Sequence, residues 1–194
     1  MKKTIAILLI SVLLISFKNE GPKFKKIFNG HDLTGWIVPE DGCWTVKGGF
    51  LHVRSNAEKK GSILWTNTSY KNFIIEADFL MGDGVVDSGI FLRSENDQIQ
   101  IGISGSLKRD MTASPYLPSL RYPVEANVKG VLKEKKWNRM RIKVVEKTYT
   151  VWLNGIEVMT YTSEKIPKVG PIGLQLHPNN EMSIQYKRIK IAEL

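Results

Sequence analysis

Through most of this chain apolar residues recur at every second position, and a period of two builds half-buried β-strands and not helices. Phe73, Ile75, Ala77, Phe79 and Met81 alternate with Ile74, Glu76, Asp78 and Leu80. Ile99, Ile101 and Ile103 alternate with Gln98, Gln100 and Gly102. The same rhythm runs through Met140, Ile142 and Val144, through Tyr149, Val151 and Leu153, and through Ile172, Leu174 and Leu176. Near the end, Ile184 and Tyr186 are followed by Ile189 and Ile191, a change of parity that predicts a bulge at Lys187 or Arg188. Asn154-Gly155 between two such runs is a strong hairpin signal, and Lys47-Gly48-Gly49 is another. A dozen or so short strands, with no helix long enough to join parallel ones, predict an all-β fold. The expected form is an antiparallel two-sheet β-sandwich of jelly-roll type.

Hydrophobic residues are 42% of the 194 and charged residues 24%, a balance that supports a folded core. The opening MKKTIAILLISVLLISF places two lysines before a short apolar run, as a secretory signal peptide does. Residues 1–17 are therefore expected to be a leader, cleaved or kept as an N-terminal anchor, with one β-sandwich domain over residues 24–194. The expected location is secreted or periplasmic, with membrane contact only through an uncleaved leader. One cysteine, Cys43, excludes an internal disulfide and a multi-thiolate zinc site. Phosphate-loop, zincin and nucleophile-elbow motifs are all lacking. Lys+Arg 28 against Asp+Glu 19 makes the chain basic, but the lysines are dispersed and no basic helix occurs, so no nucleic-acid partner is expected.

The faces opposite the apolar rows are polar. Gln98 and Gln100, Gln175 and His177, and Glu76 and Asp78 occupy them. Amides and an imidazole both donate and accept hydrogen bonds, which suits sugar hydroxyls. An imidazole can take up or release a proton near neutral pH, which makes His177 a candidate acid or base, while His31 and His52 read as structural. Arg93 alternates onto the polar side of SGIFLR. A long irregular stretch, residues 104–136, carries three prolines and opens on Lys108, Arg109 and Asp110; Tyr122 and Glu125 lie near its middle. A loop of that length is expected to wall a site. Trp36, Trp44 and Trp65 read as core, and Trp152 as the exposed tryptophan able to stack on a sugar. Asp83 and Asp87 read as a turn, with too few oxygens for calcium.

FNGHDLTGW (28–36), CWTVKGGFL (43–51), DSGIFLR (87–93), WNRMRI (137–142), WLNG (152–155), GPIGLQLH (170–177) and YKRIKIAEL (186–194) together resemble the domain-of-unknown-function 1080 family, also called the 3-keto-disaccharide hydrolase domain. The likeness spans roughly residues 27–194. It implies a concanavalin A-like jelly roll, an extracytoplasmic location and a carbohydrate or glycoside partner. Where the family often has a carboxylate two residues before a glutamine, this chain has Gln98; where it often reads LQDH, this chain has Leu176.

The resemblance implies cleavage of 3-keto-glycosides by base-assisted elimination and hydration. His177 is then the expected base, with Arg93 or Lys108 as the partner of the developing oxyanion and Asp110 as the reserve base. Gln98, Gln100, Gln175, Tyr122, Glu125 and Trp152 are the expected substrate contacts. No definite cofactor is implied; a divalent metal ion is an alternative to the cationic side chain, with its ligands unassigned. A non-catalytic carbohydrate-binding or cell-surface module of the same fold is the second reading, and a structural envelope component the third.

Overall fold

The computed structural model describes residues 21–194, so the expected leader at residues 1–17 lies outside the described residues. Fourteen strands follow in chain order: β1 (Lys25–Lys26), β2 (Trp36–Ile37), β3 (Trp44–Lys47), β4 (Phe50–Arg54), β5 (Ser62–Thr66), β6 (Phe73–Gly84), β7 (Asp87–Leu92), β8 (Gln98–Gly102), β9 (Pro115–Tyr116), β10 (Asn138–Val145), β11 (Thr148–Leu153), β12 (Ile156–Thr162), β13 (Ile172–Leu176) and β14 (Met182–Glu193). They form two antiparallel sheets. One runs β12-β11-β10-β6-β14-β4-β3, with β1 also paired to β14; the other runs β2-β5-β13-β7-β8-β9. No α-helix occurs among the described residues. The expected all-β jelly-roll sandwich is the observed fold.

The apolar rows meet between the sheets. Phe73, Ile75, Ala77 and Phe79 of β6 pair in register with Val144, Ile142, Met140 and Asn138 of β10. They face Ile90 and Leu92 of β7, Ile99 and Ile101 of β8, and Ile172, Leu174 and Leu176 of β13; all these apolar side chains are buried. Each such leucine or isoleucine contributes about 1.5–3 kcal/mol by leaving water. A polar link crosses this layer at Ser88. Ser88 Oγ donates to the Gln175 carbonyl at 2.7 Å and lies 3.0 Å from the Tyr186 hydroxyl. That link ties β7 to β13 in one sheet and to β14 in the other.

The turns follow their sequence signals. Asn154 (φ 52°) and Gly155 (φ 89°) adopt the left-handed backbone that a two-residue hairpin requires. The parity change in β14 is a bulge: its register with β6 shifts between Lys187 and Lys190, and Arg188 has φ 52°. The bulge keeps both Tyr186 and Ile189 in the core.

Residues 104–136 do not form one featureless loop. They supply β9, which extends the six-stranded sheet beside β8, and two isolated bridges, Ile103 to Asp110 and Leu117 to Arg121. Ser114 anchors the stretch, since Gln100 N donates to its carbonyl and Ala126 N to its hydroxyl, both at 2.9 Å.

Candidate active site

Pleating puts Asp87, Gly89 and Phe91 of β7, Gln98 and Gln100 of β8, and Gly173 and Gln175 of β13 on the outer face of the six-stranded sheet. His177 follows directly after β13 on the same side. Together with Ser104, Gly105, Lys108, Tyr116 and Tyr122 from the long connection, these side chains line an open cleft of about 390 Å³. The sequence-expected residues Gln98, Gln100, Gln175, His177, Lys108 and Tyr122 are thus brought together, and the long connection forms one wall.

The cleft is organised around Asp87, which is buried. Its Oδ1 accepts from Gln100 Nε2 at 2.7 Å, and its Oδ2 accepts from Gly105 N at 2.9 Å. A carboxylate only accepts, so this contact turns the Gln100 amide with its NH₂ toward Asp87. His177 Nε2 lies 3.8 Å from Asp87 Oδ2, too far for a hydrogen bond but close enough for charge to be felt. The other ring nitrogen, Nδ1, is 2.8 Å from the Pro178 carbonyl. A carbonyl cannot donate, so the proton belongs on Nδ1 and the lone pair on Nε2, facing the cleft beside Asp87.

A second pair is held by a small residue. Gln98 Nε2 donates to Gln175 Oε1 at 2.6 Å, spanning β7 between their own strands. Gln98 crosses directly over Gly89, and a Cβ there would collide with the Gln98 amide. Lacking a side chain, Gly89 is what lets two amides on non-neighbouring strands meet.

Tyr122 and Tyr116 pack ring to ring, with centroids 5.2 Å apart. Burial, with Asp87 nearby, pushes the Tyr122 hydroxyl up to about pKa 12. It therefore stays protonated, a standing hydrogen-bond donor, across the working range.

Four expected site residues lie elsewhere. Arg93 is buried at the far end of the sheet. Its guanidinium donates to the carbonyls of Glu146 (2.7 Å), Pro167 (2.9 Å) and Lys71 and rests over the Phe73 ring. It lies just past the end of β7 with a left-handed backbone (φ 64°), so strand alternation no longer sets its direction, and the six residues separating it from Asp87 carry it about 20 Å away. Asp110 is used locally: its Oδ1 accepts from Thr112 N at 2.8 Å. Glu125 forms an exposed fork with Arg109. That pairing holds the Glu125 carboxyl below its usual range. Trp152 stands on the outer face of the eight-stranded sheet, as do Glu76 and Asp78, which bind Arg141 and Arg139. Trp65, expected in the core, is half-buried on the cleft-side face, its ring seated over Gly173 and 5.6 Å from Phe91.

Asp87 is the residue that alternation alone did not single out. Its signal was its place at the head of SGIFLR, in phase with Phe91 and opposite Ile90. Among the described residues no three His, Cys, Asp or Glu side chains come together. His177 and Asp87 are two metal-capable groups, and both Asp87 oxygens already accept N–H donors. The donor set does not make a metal cage, and no step below is routed through a metal.

The sequence profile of the 3-keto-alpha-glucoside-1,2-lyase-like domain family matches residues 23–192. No curated protein matches the chain in sequence. Among solved structures, a candidate glycosyl hydrolase of Parabacteroides distasonis superposes with TM-score 0.67 at 23% identity, over 89% of this chain and 100% of that one. A second candidate glycosyl hydrolase of that organism gives TM-score 0.66 at 18% identity, over 88% and 94%. The Bacillus subtilis carbohydrate-binding module CBM66 gives TM-score 0.56 at 14% identity, over 82% and 96%. These likenesses establish the sandwich as one shared by glycosyl-hydrolase-like and carbohydrate-binding domains.

Proposed function

The chain belongs to the 3-keto-alpha-glucoside-1,2-lyase-like domain family, and we propose that its amide-lined cleft cleaves 3-keto-glycosides by elimination and hydration. The observation that carries this reading is the pairing of His177 Nε2 with Asp87 Oδ2 at 3.8 Å, with the Nδ1 proton held by Pro178. A ketone at C3 acidifies the proton on C2. His177 Nε2 takes that proton, and Asp87 stabilises the resulting imidazolium. The electron pair moves onto the C3 oxygen as an enolate. Tyr122, kept protonated by burial, and Lys108 are the donors facing that charge. Collapse of the enolate expels the oxygen at C1, leaving a C1–C2 double bond. Water then adds, its hydroxyl to C1 and a proton from His177 to C2, while the water's other proton goes to the expelled C1 oxygen, which leaves as the free alcohol. The sum is hydrolysis, and His177 returns to its starting state.

Gln98, Gln100 and Gln175 position the sugar. Fixed amides facing a hydroxyl-rich ring reduce the orientation cost of reaction. The apolar leader and the family both favour export, so the proposed compartment is secreted or periplasmic. Cell fractionation with an epitope at the C-terminus tests this: recovery in the cytoplasmic fraction would overturn it.

The decisive assay is release of aglycone from an aryl 3-keto-glucoside by the purified chain, with the unoxidised glucoside as control. Turnover of the keto substrate alone is expected. No release from any 3-keto-glycoside, with or without divalent metal, would overturn the reading. Saturable binding of the same compounds without turnover would favour a non-catalytic carbohydrate-binding module, for which the Gln98–Gln175 amide pair is the supporting feature.

A further inference from the structure

The basic charge that looks dispersed along the sequence is collected by the fold onto the outer face of the eight-stranded sheet. Arg139, Arg141 and Lys143 alternate outward along β10, and Lys187, Arg188 and Lys190 come from the bulged part of β14. Between these two rows β6 presents Glu76 and Asp78, both buried. Glu76 holds Arg141 at 3.1 Å and Lys190 at 3.0 Å. Asp78 holds Arg139 at 2.8 Å and Arg188 at 2.6 Å. Each carboxylate thus serves two cations, so each triad retains one net positive charge. The arginines are fixed while still reaching solvent, with side-chain exposures of 45%, 38% and 61% for Arg139, Arg141 and Arg188.

The surface is grooved. A cavity of about 360 Å³ flanked by Trp137 and one of about 830 Å³ flanked by Trp152 share Arg139 and Gly155, so they form one continuous trough. Lys133, Arg139, Arg141, Lys143 and Arg188 line it against Glu76 and Asp78, a net charge of 5 minus 2, or +3, before the neighbouring Lys187 and Lys190 are counted. Trp137 and Trp152 are half-buried along it. Lys187 Nζ sits 3.9 Å from the centre of the Trp137 ring.

We infer that this trough binds an anionic polysaccharide, a chain carrying carboxylate or sulfate groups, at a site on the opposite sheet from the cleft. Three features select this occupant. Guanidinium groups already fixed by carboxylates meet planar or tetrahedral anions without further ordering. The two triads stand two residues apart on β6, about 6.6 to 6.8 Å, so cationic groups recur along a line as charges recur along a polymer. Tryptophans flank a trough, which suits a linear chain of rings better than a bilayer surface.

The test measures binding of heparin and of polygalacturonate to the full chain, with dextran as the neutral control, at low and at physiological ionic strength. Lys143 and Lys187 hold no carboxylate among the described residues, so K143Q/K187Q removes two charges without stranding a buried acid. Binding of both polyanions, none of dextran, weakening with salt, and a loss of about three- to tenfold in the double variant are expected. Gln175→Ala, in the cleft, is expected to leave polyanion binding unchanged. Absence of polyanion binding at low salt, equal binding by the double variant, or equal binding of dextran would overturn the inference. Tighter binding to single-stranded DNA or to anionic phosphatidylserine vesicles than to either polysaccharide would overturn the choice of occupant.

Discussion

Asp87 Oδ2 and His177 Nε2 face each other at 3.8 Å, although the two residues open one strand and follow another, ninety positions apart in the chain. The gap is set by the register of β7 on β13, in which Leu174 pairs with Ile90, and by the Gly105 and Gln100 donors that fix the carboxylate. It leaves the Nε2 lone pair in an open cleft beside the Asp87 carboxylate.

Replacing His177 by glutamine is expected to preserve the fold, because the ring is 37% exposed and makes no core contact. Turnover of a 3-keto-glycoside should fall by about 10²- to 10⁴-fold, the usual scale for loss of a general base. Asp87→Asn keeps an acceptor for one of its two N–H partners and should lower kcat less than the histidine change. Aglycone release in a continuous assay, with circular dichroism as the folding control, checks both. Near-normal turnover by His177→Gln would remove the base from the mechanism.

Gly89→Ala tests the amide pair from beneath. Gly89 has no left-handed backbone to protect, so the added methyl acts through its collision with Gln98 alone. The Gln98 side chain has to leave Gln175. Sugar affinity, measured by calorimetry on an inert substrate analogue, should drop about fivefold to tenfold, since a hydrogen bond contributes about 0.5–1.5 kcal/mol. Gln98→Ala should produce a similar loss, and adding it to Gly89→Ala should cost little more.

Much of this was legible from spacing. Alternation gave the strands, and the broken parity after Tyr186 located the bulge at Arg188. It also put Gln98, Gln100, Gln175 and His177 on outward faces. What alternation does not encode is which sheet a strand joins or where along a strand the cleft lies. Glu76 and Asp78 face outward as expected, but on the opposite sheet, where arginines neutralise them. Arg93 lies just past the far end of β7, where a left-handed φ of 64° breaks the alternation. Trp65 was misplaced because its neighbours Leu64 and Thr66 are the buried ones.

Tyr149 and Tyr186, both buried, and the half-buried Tyr122 make the fold alkali-sensitive. Burial raises the pKa of Tyr122 to about 12, and raises those of Tyr149 and Tyr186 as well. The unfolded phenols titrate near pH 10. Between about pH 10 and the raised folded values the unfolded chain binds fewer protons than the folded one, so stability falls as pH rises through that window. Below it these groups have no effect. Denaturant midpoints should be flat in this respect up to about pH 9.5 and decline above it, with Tyr186→Phe declining less steeply. A flat profile through pH 11 would contradict the burial of these hydroxyls.

Arg93 provides the sharpest separation of structure from catalysis. Its guanidinium donates to carbonyls of three separate segments, at Lys71, Glu146 and Pro167, and so pins the ends of three connections beneath β7. Arg93→Met keeps much of the stem but strands those part-buried acceptors, each of which costs at most about 1–3 kcal/mol when left unpaired. A loss of about 3–5 kcal/mol in unfolding free energy is expected, close to the limit a domain of this size tolerates. Where the variant remains folded at low temperature, its kcat per folded molecule should match the parent, because the side chain is remote from His177. Arg93→Lys should recover part of the stability, since one ammonium can reach fewer of the carbonyls. A variant of full stability with a collapsed kcat would return Arg93 to the reacting centre and contradict the placement described here.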